Sequence, residues 1–560
     1  MQRRCEAIAR PIDFLYLITL IVLLVAAATW LAGPAVAQAA KKPNVILIIT
    51  DDMGWGDPGS YGFDRGIKTP ALDQMAAEGM RFTNWYGEAS CTPGRAAIQT
   101  GRLPIRSGLT IALGPGAKNM LRKENRTIAE FYRDNGYQTY FSGKWHLGDV
   151  EESYPINHGY DEMKNFVAYY AGIYAYTNAD LHPSFPRDNK KFMDAYNKMV
   201  NDGEWEGKVG EKPKRVTEHF GFDGLGTIDG DQTKNALAYI KKHAKDKKPF
   251  FMDINFMKFH QPNNPSKQFA GKSKQGIYYD AVMEIDSYIG RIMDTIRDLG
   301  LAKNTIVVYT TDNGPWLDAA PDAGYTPFRG AKGTPYEGGF RVPAFIWAPG
   351  RLDAGKVEHA MISHQDIWPT TAGLAGLTPP PHGEWQDENG VPIYFDGIDQ
   401  SAYLMRKTDK EPRQMFAYIL STKLGAIRVN DWKFHYSIQD AWLGPNFSLG
   451  MAAVYNLKMD PGEAYDRFMG GAAPTSGSGA VQTSPGRWQG GDTAWTVALQ
   501  GVAMNKLNET FAKYPNVPII PGGATIGAEV PTFVPTKLFE GKLPGADNAH
   551  PALKDIPTEK

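Results

Sequence analysis

Two unbroken apolar runs rich in β-branched residues, Asn44-Val-Ile-Leu-Ile-Ile-Thr50 and Thr305-Ile-Val-Val-Tyr-Thr310, stand out from an otherwise mixed pattern. Runs of this kind predict strands buried on both faces, as in a parallel sheet. Residues 137–141, 249–256 and 344–348 read as further strands. Helical periodicity lies between them. Val282, Ile285, Ile289, Ile292, Met293, Ile296 and Leu299 recur at three and four residues and predict an amphipathic helix between Gly276 and Gly300. Residues 70–79 and 231–244 read as helices, and Thr127-Ile-Ala-Glu130 has the pattern of a capping box opening another. Strands and helices alternate to about residue 410. This predicts an α/β fold with a large, mostly parallel mixed sheet flanked by helices. From 415 the pattern changes to short strands at 416–420, 425–429, 432–436 and 454–457, predicting a smaller C-terminal antiparallel subdomain. The expected boundaries are 41–412 for the large α/β domain and 413–560 for the subdomain. Residues 470–492, rich in Gly, Ser and Ala, are expected to be a flexible excursion before a loose tail. Residues 150–225 have little periodicity and read as loops over a site.

The N-terminus reads differently. Arg3, Arg4 and Arg10 precede an apolar run over 14–33, and Ala35-Val-Ala37 and Ala37-Gln-Ala39 offer small-residue cleavage sites. Residues 1–39 are therefore expected to be a signal peptide, making the chain exported, periplasmic or secreted, with no stable membrane association once the signal is removed. An uncleaved anchor is the other reading of the same run. Cys5 leaves with the signal, so the mature chain holds Cys91 alone, either inert or functional. A net charge of -1 over 560 residues, with no long basic run, excludes nucleic acid as an expected partner.

The chemistry gathers at strand ends. The first apolar run leads into Asp51-Asp52-Met-Gly54-Trp-Gly56-Asp57, and the second into Thr311-Asp312-Asn313-Gly314. The strands at 137 and 249 deliver Lys144-Trp145-His146 and Lys258-Phe259-His260, and Lys332 opens a later loop. In a parallel sheet these ends share one edge, where open α/β sheets bind ligands. Asp51, Asp52, Asp312 and Asn313 offer only hard oxygen ligands, which suit Ca2+ or Mg2+ rather than zinc. Four protein oxygens lean toward Ca2+, because Mg2+ usually keeps several waters. Lys144, Lys332 and Arg95 would surround a bound anion. A strand-like run over 81–86 leads to a turn at Ser90-Cys91. Pro93 then suits a first helical turn and Gly101 a helix end. Cys91 thus lies at a helix mouth, where an anion is favoured, and Arg95 returns over the same face.

Cys91-x-Pro93-x-Arg95, followed by Thr100-Gly101-Arg102, resembles the signature of the type I sulfatases, in which a maturation enzyme oxidises the cysteine to Cα-formylglycine. The chain departs at one point, since the family usually has Ser or Ala where Gly94 stands. In the same order, residues 51–57, Gly143-Lys144-Trp-His146, residues 311–314, Arg329-Gly-Ala-Lys332 and residues 336–343 resemble motifs of the arylsulfatase-like family of the alkaline phosphatase superfamily. Trp432-Lys433 and residues 455–461 look like that family's C-terminal subdomain. The resemblance implies an alkaline-phosphatase-like fold and hydrolysis of a sulfate ester at a Ca2+ site, Mg2+ being the lesser choice. It casts the hydrated formylglycine at 91 as nucleophile, Arg95 as its stabiliser and His146 as the proton acceptor that drives sulfate release. His260, with Lys332, would protonate the leaving oxygen, while Lys144 and Lys332 bind sulfate. The implied partners are a small sulfate ester and the formylglycine-generating enzyme. A phosphonate monoester or phosphodiester hydrolase with the same aldehyde and metal fits these residues too, as does a Ca2+-binding protein in which Cys91 stays a thiol.

Overall fold

Asn44–Thr50 (β1) is buried along its whole length and takes a central place in a ten-stranded sheet. The computed structural model describes residues 41–517 apart from 115–116, 118, 170–202, 218–221, 320, 388, 443, 468–470 and 473–494. The expected signal, about half of residues 150–225, nearly all of the 470–492 excursion and the tail lie outside the described residues, and the described part of 150–225 is not all loop, since it supplies three strands at one edge of the large sheet. The remaining strands of the large sheet are Met80–Phe82 (β2), Gln138–Lys144 (β3), Glu162–Val167 (β4), Trp205–Lys208 (β5), Lys214–Arg215 (β6), Phe250–Asn255 (β7), Thr305–Thr311 (β8), Ala344–Trp347 (β9) and Lys356–Glu358 (β10). Their order across the sheet is β10-β2-β9-β8-β1-β7-β3-β4-β5-β6. The block β8-β1-β7-β3-β4 is parallel throughout, and β9 runs against it.

Alternation along β1 divides the core. Val45, Leu47 and Ile49 face a layer holding Cys91–Thr100 (α2) and Ile128–Asp134 (α3). Ile46 and Ile48 face Pro70–Glu78 (α1), Phe222–His243 (α4) and Ile277–Asp298 (α5). An all-apolar strand is needed because both of its faces are covered. Register then aligns the strand ends. Thr50 pairs with Thr311, Ile49 with Asn255 and Gly143 with Asn255, so β1, β8, β7 and β3 finish at one edge.

Some local readings need correction. The run over 81–86 is two elements. Only β2 joins the large sheet, and Trp85–Tyr86 pairs instead with Ile362–Ser363. Cys91 is the first residue of α2 rather than part of a preceding turn. Beyond the C-terminal meander, Trp495–Lys513 forms a helix (α6) that periodicity analysis did not pick out. Leu499, Ala503, Leu507 and Phe511 pack it on the meander strands at a strict four-residue spacing, but Gly501 and small neighbours dilute the signal.

The meander itself is as expected: Met415–Leu420 (β11), Lys423–Val429 (β12), Trp432–Ile438 (β13) and Phe447–Asn456 (β14), antiparallel and in sequence order. It is tied to the large domain by a buried ionic group. Lys433 Nζ lies 3.0 Å from Glu337 and 2.8 Å from Glu463. The hydroxyls of Tyr86 and Tyr418 also donate to Glu337, at 2.6 and 2.5 Å. Burial would raise the Glu337 carboxyl, but Lys433, Arg341 and Arg428 outweigh it and bring it down to about 2. Glu337, within the motif at 336–343, and Lys433, within the stretch that looked like the C-terminal subdomain, thus form a joint between the large domain and the meander. Lys433→Met would remove the cation that two buried carboxylates share, at a cost of about 3–5 kcal/mol. A clearly lower thermal unfolding midpoint is expected, and an unchanged midpoint would mean the group does not hold the sheets together.

Candidate active site

Helix α2 starts where the aligned strand ends finish, and this brings Cys91 among their side chains. Its Sγ lies 3.4 Å from Asp51 Oδ1 and 3.1 Å from Lys332 Nζ. Asp51 Oδ2 also accepts from Lys144 Nζ, and from Arg95 Nη2 at 3.3 Å. Arg95 donates through Nε to Asp312 Oδ2 at 3.0 Å and through Nη1 to Asn255 Oδ1 at 2.8 Å. Asp52 Oδ1 accepts from Lys332 Nζ and from Asn313 Nδ2, each at 2.7 Å. His260 Nε2 stands 4.0 Å from Asp52 Oδ2. His146 follows β3 with its ring Nε2 2.8 Å from the Leu113 carbonyl, while its own carbonyl accepts from Thr92 Oγ1 at 2.9 Å. Nine of the ten residues singled out in the sequence are joined by these contacts, and His146 is tethered beside them through α2.

Two of them hold unusual backbone. Asp52 and His146 have φ of 56° and 59°, in the left-handed region that side chains disfavour. Such geometry persists where surroundings over-determine it, as at functional sites. For Asp52 the surroundings are its backbone N–H to Asp312 Oδ1 at 3.4 Å and its carboxylate contacts.

Electrostatics follow from burial. Asp51, Asp52, Asp312, Arg95, Lys144 and Lys332 are all almost wholly removed from water. Burial would raise Asp51, but the charges of Lys144, Arg95 and Lys332 hold it well below the usual range. Asp52 goes the other way, pushed up to about 7 by burial with Asp51 and Asp312 close by. Burial and the Asp51 carboxylate push the Cys91 thiol up, away from thiolate. His260 and His146 are driven well below the normal imidazole range, by burial first and then by nearby Lys charges. Both are therefore neutral in the free protein.

The donor set suits a hard cation. Asp51, Asp52, Asp312 and Cys91 each present a donor atom, all within 4.8 Å of one another. Among the described residues, Asp52 Oδ2 and Asn313 Oδ1 are buried without a hydrogen-bond partner. Unsatisfied buried oxygens beside carboxylates are what an oxygen-ligated Ca2+ would complete. Three carboxylates here face three side-chain cations, so a divalent ion would make the site net positive and receptive to an anion.

The structure also places residues that the sequence reading passed over. Asp253 sits behind Arg95, accepting from Gln99 Nε2 at 2.6 Å, Tyr160 OH at 2.9 Å and Asn255 Nδ2 at 2.7 Å. The signal was available, since Asp253 and Asn255 interrupt an otherwise apolar buried strand. Lys258 turns away from the site, with Nζ 3.1 Å from Asp229 and 3.3 Å from Glu284. Gly94, the departure from the signature, packs on the end of β8. A Cβ there would come 2.3 Å from the Asp312 carbonyl oxygen. Gly338 similarly lets residues 336–341 lie against Arg329 and Gly330, the segment that carries Lys332.

Comparison with known proteins gives the family. The family model described as Sulfatase matches residues 43–377. The N-acetylgalactosamine-6-sulfatase of Canis lupus familiaris is 33% identical over 471 residues, covering 78% of this chain and 83% of the relative. Arylsulfatase A of Homo sapiens is 33% identical, covering 79% and 86%. The crystal structure of PsFucS1 sulfatase from Pseudoalteromonas sp. superposes with a TM-score of 0.72 at 28% identity, covering 91% of this chain and 96% of that one.

Proposed function

The chain belongs to the sulfatase family and hydrolyses sulfate esters, and from that premise we propose that it does so with Cys91 oxidised to formylglycine beside a Ca2+ ion. Asp51, Asp52, Asp312 and Asn313 would hold the ion, whose positive charge would polarise the sulfate group as a Lewis acid. The aldehyde, once hydrated, supplies two hydroxyls on one carbon, one to attack sulfur and one to let the residue reset, which a plain Cys or Ser lacks. The observation that carries this reading is the placing of Cys91 Sγ between Lys332 and Asp51. There its thiol is buried and held away from the thiolate form a cysteine nucleophile needs.

The chain's own residues then have distinct tasks. Lys144 and Lys332 bind the sulfate oxygens as charge develops. Arg95, fixed by Asp51, Asp312 and Asn255, steadies the oxygens at residue 91. His146 Nε2–H donates a hydrogen bond to the Leu113 carbonyl, which leaves Nδ1 as the atom that accepts a proton during sulfate release. Nδ1 of His260 lies 2.6 Å from the Gln261 carbonyl, so Nε2 is the atom that faces the reaction. A bound sulfate anion would offset the Lys charges that keep this ring neutral. Nε2 could then hold the proton it passes to the leaving oxygen, with Lys332 beside it.

We also take the chain to be exported, to be matured by a formylglycine-generating enzyme and to act on a small sulfate ester. Among the described residues no helix is long and apolar enough to cross a membrane. Mass spectrometry of the peptide containing residue 91, taken from protein that releases sulfate, is expected to find an aldehyde. A preparation that is fully active with an intact thiol would overturn the proposal.

A further inference from the structure

The hairpin between β13 and β14 reaches from the C-terminal sheet to the mouth of this site. Its Trp442 lies over Lys332, with Nζ 4.8 Å from the ring centroid. Trp316, just beyond Asp312 and Asn313, lies 5.0 Å from the same Nζ and 5.1 Å from the His260 ring. The two indoles meet edge to face, with centroids 5.2 Å apart. Lys332 and His260 are buried, whereas both indoles keep part of their surface open to solvent. The hairpin is braced in place. The Trp442 backbone N–H donates to Asp318 Oδ2 at 2.9 Å, Arg329 pairs with Asp440 at 3.3 Å, and Gln439 Nε2 donates to the Trp442 carbonyl at 2.8 Å. Nothing in the assigned chemistry uses either indole.

We propose that Trp316 and Trp442 form the wall of the leaving-group subsite and that the ring they stack against is a hexopyranose, so that the ester is a sulfated sugar. The inference rests on the sulfatase reading, because it places the sulfate beside Cys91 and Lys332. An alcohol attached to that sulfate leaves the site on the side of Lys332 where the indoles stand. The C–H face of a pyranose packs on an indole face, as any flat apolar surface does. The exposed carboxylates of Asp318 and Asp440 flank the pair and can accept hydrogen bonds from sugar hydroxyls. An aryl leaving group would use the indoles but gain nothing from those carboxylates. Carbohydrate selectivity would therefore come from a hairpin of the C-terminal sheet rather than from the strand ends that perform the chemistry.

Equilibrium binding separates the subsite from turnover. The Cys91→Ala protein, loaded with Ca2+, is titrated with a sulfated methyl hexopyranoside, with 4-nitrophenyl sulfate and with inorganic sulfate. Adding Trp442→Ala is expected to weaken the hexopyranoside roughly tenfold and inorganic sulfate by less than about twofold. Trp442→Phe, which keeps a ring, should weaken the hexopyranoside by only about threefold, and it serves if the alanine variant does not fold. Equal weakening of hexopyranoside and sulfate would mean that Trp442 only braces Lys332, which overturns the subsite. No weakening of either does so as well. If 4-nitrophenyl sulfate binds more tightly than the sugar and alone suffers from the substitution, the sugar assignment is overturned. Sulfate release from the same esters by the Cys91 protein tests the sulfatase reading separately, since binding to the Cys91→Ala protein involves no turnover.

Discussion

Cys91→Ala is expected to abolish sulfate-ester hydrolysis, lowering kcat by about 10⁴-fold or more. An attacking group removed outright leaves only the binding and charge stabilisation of the remaining site. The fold should survive. Cys91 is buried at the first position of α2 but contributes only a 3.4 Å contact to Asp51 and a 3.1 Å contact from Lys332. Both partners keep other contacts, Asp51 with Lys144 and Arg95 and Lys332 with Asp52. Thermal unfolding near that of the parent protein, together with lost turnover, is therefore the expected pair of results. An alanine variant that still released sulfate at a comparable rate would show that residue 91 is not the attacking group.

If the proposed Ca2+ site is filled, stripping it with a chelator should have the second largest effect, on stability as well as on rate. Without the ion, Asp51, Asp52 and Asp312 crowd donor atoms within 4.8 Å, and two buried oxygens go unsatisfied. An ion that binds only the folded state adds about 4 kcal/mol at a thousandfold excess over its Kd. Chelation should lower the unfolding midpoint by several degrees and abolish sulfate release, and Ca2+ should restore both. Zn2+ should not restore them, because the donors are hard oxygens. A midpoint indifferent to chelator and Ca2+ would refute the oxygen cage. Asp312→Asn should mimic part of the loss, since it also removes the anion that Arg95 pairs with at 2.9 Å.

How far this could be read from the chain differs from residue to residue. The runs at 44–50 and 305–310 were legible as buried strands because two covered faces demand an unbroken apolar sequence. That one inference placed Asp51, Asp52, Asp312 and Asn313 together, since register in a parallel sheet aligns strand ends. The long helix at 277–298 was legible from its period, whereas α6 was not, because small residues dilute its four-residue repeat. Lys258 and His260 illustrate the limit of spacing: two residues apart on one loop, one turns to Asp229 and Glu284 and the other to Asp52.

Glu337 and Trp442 mark the boundary most clearly. Residues 336–343 were recognisable as a motif, but only packing reveals that Glu337 is a joint to Lys433 in another sheet. Trp442 lies in a hairpin with no feature that points to the strand ends, yet it stands over Lys332. The local pattern of apolar and polar residues determined which segments are strands, where they stop and which chemical groups stand at their tips. Tertiary structure decided which way each tip side chain turns, which carboxylates share a lysine, and which distant hairpin stands over Lys332. Those outcomes depend on contacts between residues hundreds of positions apart, whose energies no short stretch of sequence contains.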